Sequence, residues 1–167
     1  MRSIRDLLGI GPRMAAWGAP ALALGILATV VWREQCRIIL LPRAVSVSLG
    51  AVMLAAGLVL YASTARLLMG EVRKGVLVTG GPFAWCQNPL YAAFILLLIP
   101  AAALLADSWP ILLVSPVLYA AFKLHIAQEY RELEAAFGEP YRAYRARTGE
   151  LLPLPPHHAP TLQQRPH

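Results

Sequence analysis

Four long stretches of this chain carry no charged side chain: residues 14–32, 44–65, 75–106 and 108–122. Together they make up more than half of its 167 residues. A bilayer core of about 30 Å takes roughly 20 apolar residues of helix, with somewhat shorter spans tolerated. The four runs therefore specify an all-α fold, a polytopic membrane bundle of about four transmembrane helices. Composition agrees, with 57% hydrophobic and 14% charged residues and a mean hydropathy of +0.54, which is outside the range of ordinary soluble domains.

A net charge of +6 and a pI near 9.8 do not signal nucleic acid in such a chain. Basic side chains beside membrane spans meet lipid headgroups and set topology, so the partners implied are membrane lipids and no nucleic acid. The segment between spans 3 and 4 has no Lys or Arg, whereas Arg66, Arg73 and Lys74 precede span 3 and Lys123, Arg131, Arg142, Arg145, Arg147 and Arg165 follow the core of span 4. This places the glycine-rich segment before span 3 and the C-terminus together on the cytoplasmic side. Arg33, Arg37 and Arg43, between the first two spans, run against the bias. The first apolar run is too long for a signal-peptide core and reads as a retained anchor. Cys36 and Cys86 are too few for a disulfide framework and read as free thiols.

Residues 1–12 alternate basic and aliphatic positions and stop at Gly11 and Pro12, the pattern of a short interfacial helix. Span 1 covers residues 14–32, span 2 about 44–68, span 3 about 90–106 and span 4 about 110–126. Spans 1 and 2 are expected to form a hairpin, and Pro100 and Pro116 to kink the helices that contain them. The tight turn Asp107, Ser108, Trp109, Pro110 joins spans 3 and 4. Between spans 2 and 3, paired glycines and two prolines in VLVTGGPFAWCQNP preclude a continuous helix. After span 4, Tyr130, Leu133 and Phe137 share one helical face, Gly138 is placed for a left-handed cap, and Pro140 can open a second helix. A surface helical hairpin is expected there. Residues 1–152 form a single membrane-embedded domain, and the proline-rich tail 153–167 lacks a packable face and reads as disordered.

Ionisable residues inside spans are costly and mark transport or redox chemistry, and the four apolar runs contain none. His125, His157, His158 and His167 all lie at or beyond the end of span 4, so no facing pair of haem ligands can be built within the bundle, and no metal site is expected. The chemistry must sit where residues 79–89 and 125–129 arrive at one membrane interface.

Those two segments carry a resemblance. The run GPFAWCQNPLY, followed by EYRELEAAFGEPYRAYRARTGELLP, resembles the C-terminal half of the superfamily of isoprenylcysteine carboxyl methyltransferases and phospholipid methyltransferases. Gly81, Pro82, Phe83, Asn88, Pro89, Tyr91, Glu129, Leu133, Phe137, Gly138, Tyr141 and Tyr144 fit its pattern in order and spacing. Gln87 stands where an arginine is usual and Tyr130 where a second glutamate is usual, and the ending TGELLP replaces a more basic, aromatic one.

The resemblance implies an integral-membrane methyltransferase that uses S-adenosylmethionine, bound by the half covering about 76–152. Its acceptor would be small or lipophilic, bearing a carboxylate, thiol or amine, and would enter from the bilayer at the cytoplasmic face. The implied cofactor-binding set is Gly80, Gly81, Phe83, Gln87, Asn88, Tyr91, Tyr119, His125 and Glu129. Glu129 can neutralise the ammonium or accept from ribose hydroxyls, the glycines allow close backbone approach, and Tyr91 and Tyr119 can face a sulfonium. No residue is assigned as catalytic base. Taken residue by residue, the tyrosines also read as interfacial belt aromatics, Asn88 as the end of a loop and Glu129 as a solvated ion-pair partner. The alternative to an enzyme is a membrane scaffold or partner subunit that keeps the fold without the chemistry.

Overall fold

The computed structural model describes residues 10–72 and 76–153. Among them all regular structure is helical, and four helices are long and apolar enough to cross a membrane. Helix α1 spans Gly11–Val31, α2 spans Arg43–Val72, α3 spans Pro89–Ala106 and α4 spans Trp109–Phe137. A short α5, Glu139–Arg147, follows. Most of the interfacial helix expected over residues 1–12 lies outside the described residues, as does the tail beyond 153. Gly11 and Pro12 open α1; proline is suited to a first turn because no N–H is needed there.

Glycine decides which helices meet. In lipid there is little hydrophobic force between helices, so close approach of backbones does the work. Gly18 and Gly25, two turns apart, face α4: a Cβ on Gly18 would lie 2.6 Å from Leu118 Cδ2, and one on Gly25 would lie 3.2 Å from the Pro110 carbonyl oxygen. Gly50 and Gly57 repeat that spacing on α2 and face Leu104 with Leu105, and Leu97 with Leu98, on α3. The bundle therefore pairs α1 with α4 and α2 with α3, while α1 and α2 scarcely touch. This corrects the expected α1–α2 hairpin. The two helices are neighbours in sequence, but their glycine faces are turned to other partners.

Pro100 follows an irregular stretch of α3. Without its N–H the ladder of α3 loosens into a π-type segment over Ala93–Leu98, closed by the Ile99 N–H on the Phe94 carbonyl. Pro116 likewise sits beside an irregularity, here in α4. It sits in the first turn of Val114–Phe137, just after an interruption at Leu113. That helix then continues to Phe137, well past the expected end of span 4, because no glycine or proline intervenes until Gly138. The expected pair of surface helices is thus one long helix with α5 folded back on its end. Gly138 has φ 58° and ψ −130°, a positive φ as expected but outside the left-handed helical region.

At one end of the bundle, Asp107 takes φ 56° to end α3. Its carboxylate accepts from the Ile38 N–H at 3.1 Å and from Arg37 Nε at 3.1 Å. Arg43 donates to the Leu104 and Leu105 carbonyls at 2.8 and 2.7 Å. Two of the three arginines that oppose the charge bias therefore serve the negative end of α3. Thr29 and Ser108 hydroxyls meet at 2.6 Å, joining α1 to the start of α4. The opposite end gathers the start of α1, the loop before α3, the exit of α4, and α5.

Candidate functional site

The loop before α3 turns on glycine. Gly81 has φ 59°, where a side chain is strained, and a Cβ there would also press on Leu67 Cδ2 at 3.2 Å. A 3₁₀ turn follows over Gly81–Ala84, with the Phe83 N–H on the Gly80 carbonyl at 3.2 Å. Gly80 borders open space. Tyr144 of α5 secures the turn by donating its hydroxyl to the Phe83 carbonyl at 2.7 Å. Burial holds that hydroxyl well above the ordinary tyrosine range and pushes the neighbouring Cys86 thiol up as well, the Asn88 backbone opposing it. Both Cys86 and Cys36 are free thiols, as expected, and both are buried.

Gln87 and Asn88 then form a clasp with the chain that leaves α5. The Gln87 N–H donates to the Gly149 carbonyl at 2.8 Å and the Asn88 N–H to the Glu150 carbonyl at 3.1 Å. Gln87 Nε2 donates to the Thr148 carbonyl, while its Oε1 is buried with no partner among the described residues. Asn88 Nδ2 donates to the Tyr130 hydroxyl at 2.8 Å and to the Glu150 carbonyl at 3.2 Å. The Tyr130 hydroxyl also lies 3.4 Å from Glu150 Oε1, whose partner oxygen pairs with Lys123 at 2.7 Å. Arg145 caps the Tyr130 ring at 4.4 Å from its centroid.

Beside the clasp, the Tyr91 hydroxyl donates to Glu129 Oε2 at 3.4 Å, and the Tyr91 ring leans on Phe122 with centroids 5.6 Å apart. The Ile10 N–H reaches the same carboxylate oxygen at 3.4 Å. Ile10 and Met14 belong to the buried cluster that includes Phe122, Ile126 and Tyr130. The start of α1 thus covers one side of the meeting, so Glu129 is held by two long hydrogen bonds that a stronger ligand could replace.

The structure brings Phe83, Gln87, Asn88, Tyr91 and Glu129 to one end of the bundle. It does not bring Tyr119, which is exposed on α4 and makes no hydrogen bond or ring contact among the described residues. His125 is half-buried, one turn before Glu129, and likewise makes no hydrogen bond there. The sequence reading passed over four contributors. Ile10 gave no signal, because a backbone donor is invisible in sequence. Lys123 counted only toward topology, and Glu150 carried no signal of its own. Tyr141 was weighed only as a motif or belt aromatic, yet it is 2% exposed. A groove of about 520 Å³ opens at the other end of the bundle, walled by Leu24, Gly25, Ala28, Trp32, Trp109 and Leu113. Its walls are mainly apolar, with Gln35 at one side.

Comparison with known proteins adds a family. The family model of isoprenylcysteine carboxyl methyltransferases matches residues 44–135, a stretch that runs from the start of α2 through the glycine turn to just beyond Glu129. A protein-S-isoprenylcysteine O-methyltransferase of Schizosaccharomyces pombe is 33% identical over 81 residues, which are 48% of this chain and 34% of that protein. The aligned stretch thus spans about a third of the relative's length. No solved structure matches.

Proposed function

The chain belongs to the isoprenylcysteine carboxyl methyltransferase family, and we propose that it transfers a methyl group from S-adenosylmethionine to the carboxylate of a lipophilic acceptor. The observation that carries this reading is the meeting of the loop before α3 with the exit of α4, through Tyr91 on Glu129 and Asn88 on Tyr130, inside the stretch that matches the family. The residues present fit the cofactor. Glu129 is a carboxylate with replaceable partners, and two buried polar atoms, Gln87 Oε1 and the Tyr141 hydroxyl, have none among the described residues.

When bound, the cofactor supplies an electrophilic methyl on a sulfonium, which a carboxylate oxygen takes as the carbon–sulfur bond breaks, with no proton to move. The chain therefore has no need of a base, in keeping with a His125 that nothing orients. Its task is to align the partners at about 3 to 3.5 Å and exclude water. Glu129 would take the ammonium of the methyl donor, Tyr91 would steady that carboxylate, and the glycine turn would approach the ligand through its backbone. The carboxylate acceptor is suggested by the name of the fission-yeast relative, which points to a lipid-modified cysteine. Its hydrophobic part would enter from the bilayer. This end of the bundle would face the cytoplasm, a reading supported by the basic residues around it and by the internal roles of Arg37 and Arg43 at the other end.

Purified protein in nanodiscs, titrated with S-adenosylhomocysteine by calorimetry, tests the reading. Saturable binding is expected, weakened about tenfold or more in Glu129→Gln, since a hydrogen bond to a charged group is worth about 1.5–3 kcal/mol. No binding by the unaltered protein would refute methyl transfer and favour the scaffold. Labelled cofactor supplied to membranes with and without the protein would then identify the molecule that gains the methyl.

A further inference from the structure

Among the described residues, four buried side-chain atoms lack a hydrogen-bond partner: Ser46 Oγ, Ser115 Oγ, Gln87 Oε1 and the Tyr141 hydroxyl. Tyr141 is the largest of these side chains and is 2% exposed. Buried tyrosine hydroxyls usually find partners, because leaving one unpaired forfeits the hydrogen bond it had with water. The neighbouring tyrosines follow that rule: Tyr144 donates to the Phe83 carbonyl at 2.7 Å, and the Tyr130 hydroxyl accepts from Asn88 at 2.8 Å.

Position gives the unpaired hydroxyl its meaning. Tyr141 lies one turn before Tyr144 and Arg145, on the same face of α5, with its ring 6.4 Å from that of Tyr144. That face is pinned against the loop by Tyr144 and against α4 by Arg145 over Tyr130. Tyr141 therefore faces the junction of the loop and the α4 exit, where it feels the carboxylates of Glu129 and Glu150 and the guanidinium of Arg145. Burial pushes its hydroxyl up to about 12, against the pull of Arg145, so it remains a neutral donor at every working pH.

We infer that Tyr141 positions the methyl donor, its hydroxyl donating to the carboxylate of the amino-acid end whose ammonium Glu129 holds. The inference rests on the methyltransferase reading above. It gives a partner to a buried hydroxyl that has none among the described residues.

The test is Tyr141→Phe in full-length protein, read by thermal unfolding without ligand and by calorimetric titration with S-adenosylhomocysteine and with 5′-methylthioadenosine, which lacks the amino-acid end. The expected result is an unfolding temperature unchanged or raised, binding of S-adenosylhomocysteine weakened about tenfold, and binding of methylthioadenosine unaltered. Tyr144→Phe is the contrast, expected to lower the unfolding temperature because it breaks the bond to Phe83. Equal affinity of Tyr141→Phe and unaltered protein for S-adenosylhomocysteine would overturn the inference while leaving the methyltransferase reading intact. A lowered unfolding temperature in Tyr141→Phe would also overturn it, by showing that the hydroxyl already has a partner. Equal weakening of both ligands would refute the assignment to the amino-acid end. Failure of the unaltered protein to bind either ligand would remove the methyltransferase reading and the inference with it.

Discussion

Asn88 offers the sharpest test of how the loop before α3 is held to the exit of α4. If it merely ends a loop ahead of Pro89, truncating it should cost little. The structure instead buries it and directs Nδ2 to the Tyr130 hydroxyl at 2.8 Å and the Glu150 carbonyl at 3.2 Å. Asn88→Ala removes both bonds, each worth about 1 kcal/mol net. The backbone bond from the Asn88 N–H to Glu150 survives, and Tyr130 keeps Glu150 Oε1, so neither partner is left wholly unpaired. The expected loss is therefore about 2 kcal/mol, roughly a thirtyfold fall in the folding equilibrium. Unfolding in mixed micelles of mild detergent and dodecyl sulfate, followed by tryptophan fluorescence, measures it. A cycle with Tyr130→Phe should recover about 1 kcal/mol of coupling, because the two substitutions share one bond. A loss under about 0.5 kcal/mol, the range of ordinary surface changes, would refute the clasp.

Two further predictions probe other regions. Desolvation works against the Asp107 carboxylate, but the Ile38 N–H, Arg37 and Arg43 outweigh it and hold the group below the usual carboxylate range. A carboxyl depressed in the folded state stabilises above its unfolded value and loses that contribution as pH falls through the folded one; Asp107→Asn should thus be less stable than the parent at pH 7, with the gap closing below about pH 4, as thermal unfolding against pH will show. A Cβ on Gly57 would come 2.7 Å from Leu98 Cδ2 and 3.1 Å from Leu97 Cβ, whereas Gly70 on the same helix has nothing within 4 Å. Gly57→Ala should therefore destabilise by about 1–3 kcal/mol and Gly70→Ala should stabilise by up to about 1 kcal/mol, a contrast readable by the same unfolding assay.

The number of crossings and the turn at Asp107 were legible because charge distribution and punctuation are local properties of a sequence. The glycine turn was legible for the same reason. Helix pairing was not, since Gly18, Gly25, Gly50 and Gly57 show that two faces seek close contact but not with which partner. The end of α4 was missed because an apolar run marks where lipid ends and not where the helix ends. Within the site, Tyr91 and Glu129 stand in one motif each and were expected to converge, and the structure places them in contact. Placing the Ile10 amide on Glu129 needs the tertiary pairing of α1 with α4, and finding an unpaired hydroxyl on Tyr141 needs a full account of its neighbours. Neither is available from spacing.

Residues 130 and 150 meet directly. The resemblance leads one to expect glutamate at 130, and here the Tyr130 hydroxyl lies 3.4 Å from Glu150 Oε1. A carboxylate in that place would face Glu150 as a like charge, which disfavours ionising both. Tyrosine avoids the conflict: its hydroxyl accepts from Asn88 and donates to Glu150, and its ring carries Arg145. Glu150 is then free to pair with Lys123 and hold the segment that leaves α5. Tyr130→Glu alone should destabilise by about 2 kcal/mol, because it removes the packed ring and sets a carboxylate beside Glu150, with Arg145 offsetting part of the repulsion. Adding Glu150→Gln should restore about half of it, because the repulsion is gone while the lost ring packing is not. Additive effects of the two substitutions, measured by unfolding in micelles, would show that positions 130 and 150 are independent. Coupling of the expected sign would show that the two positions act as one unit.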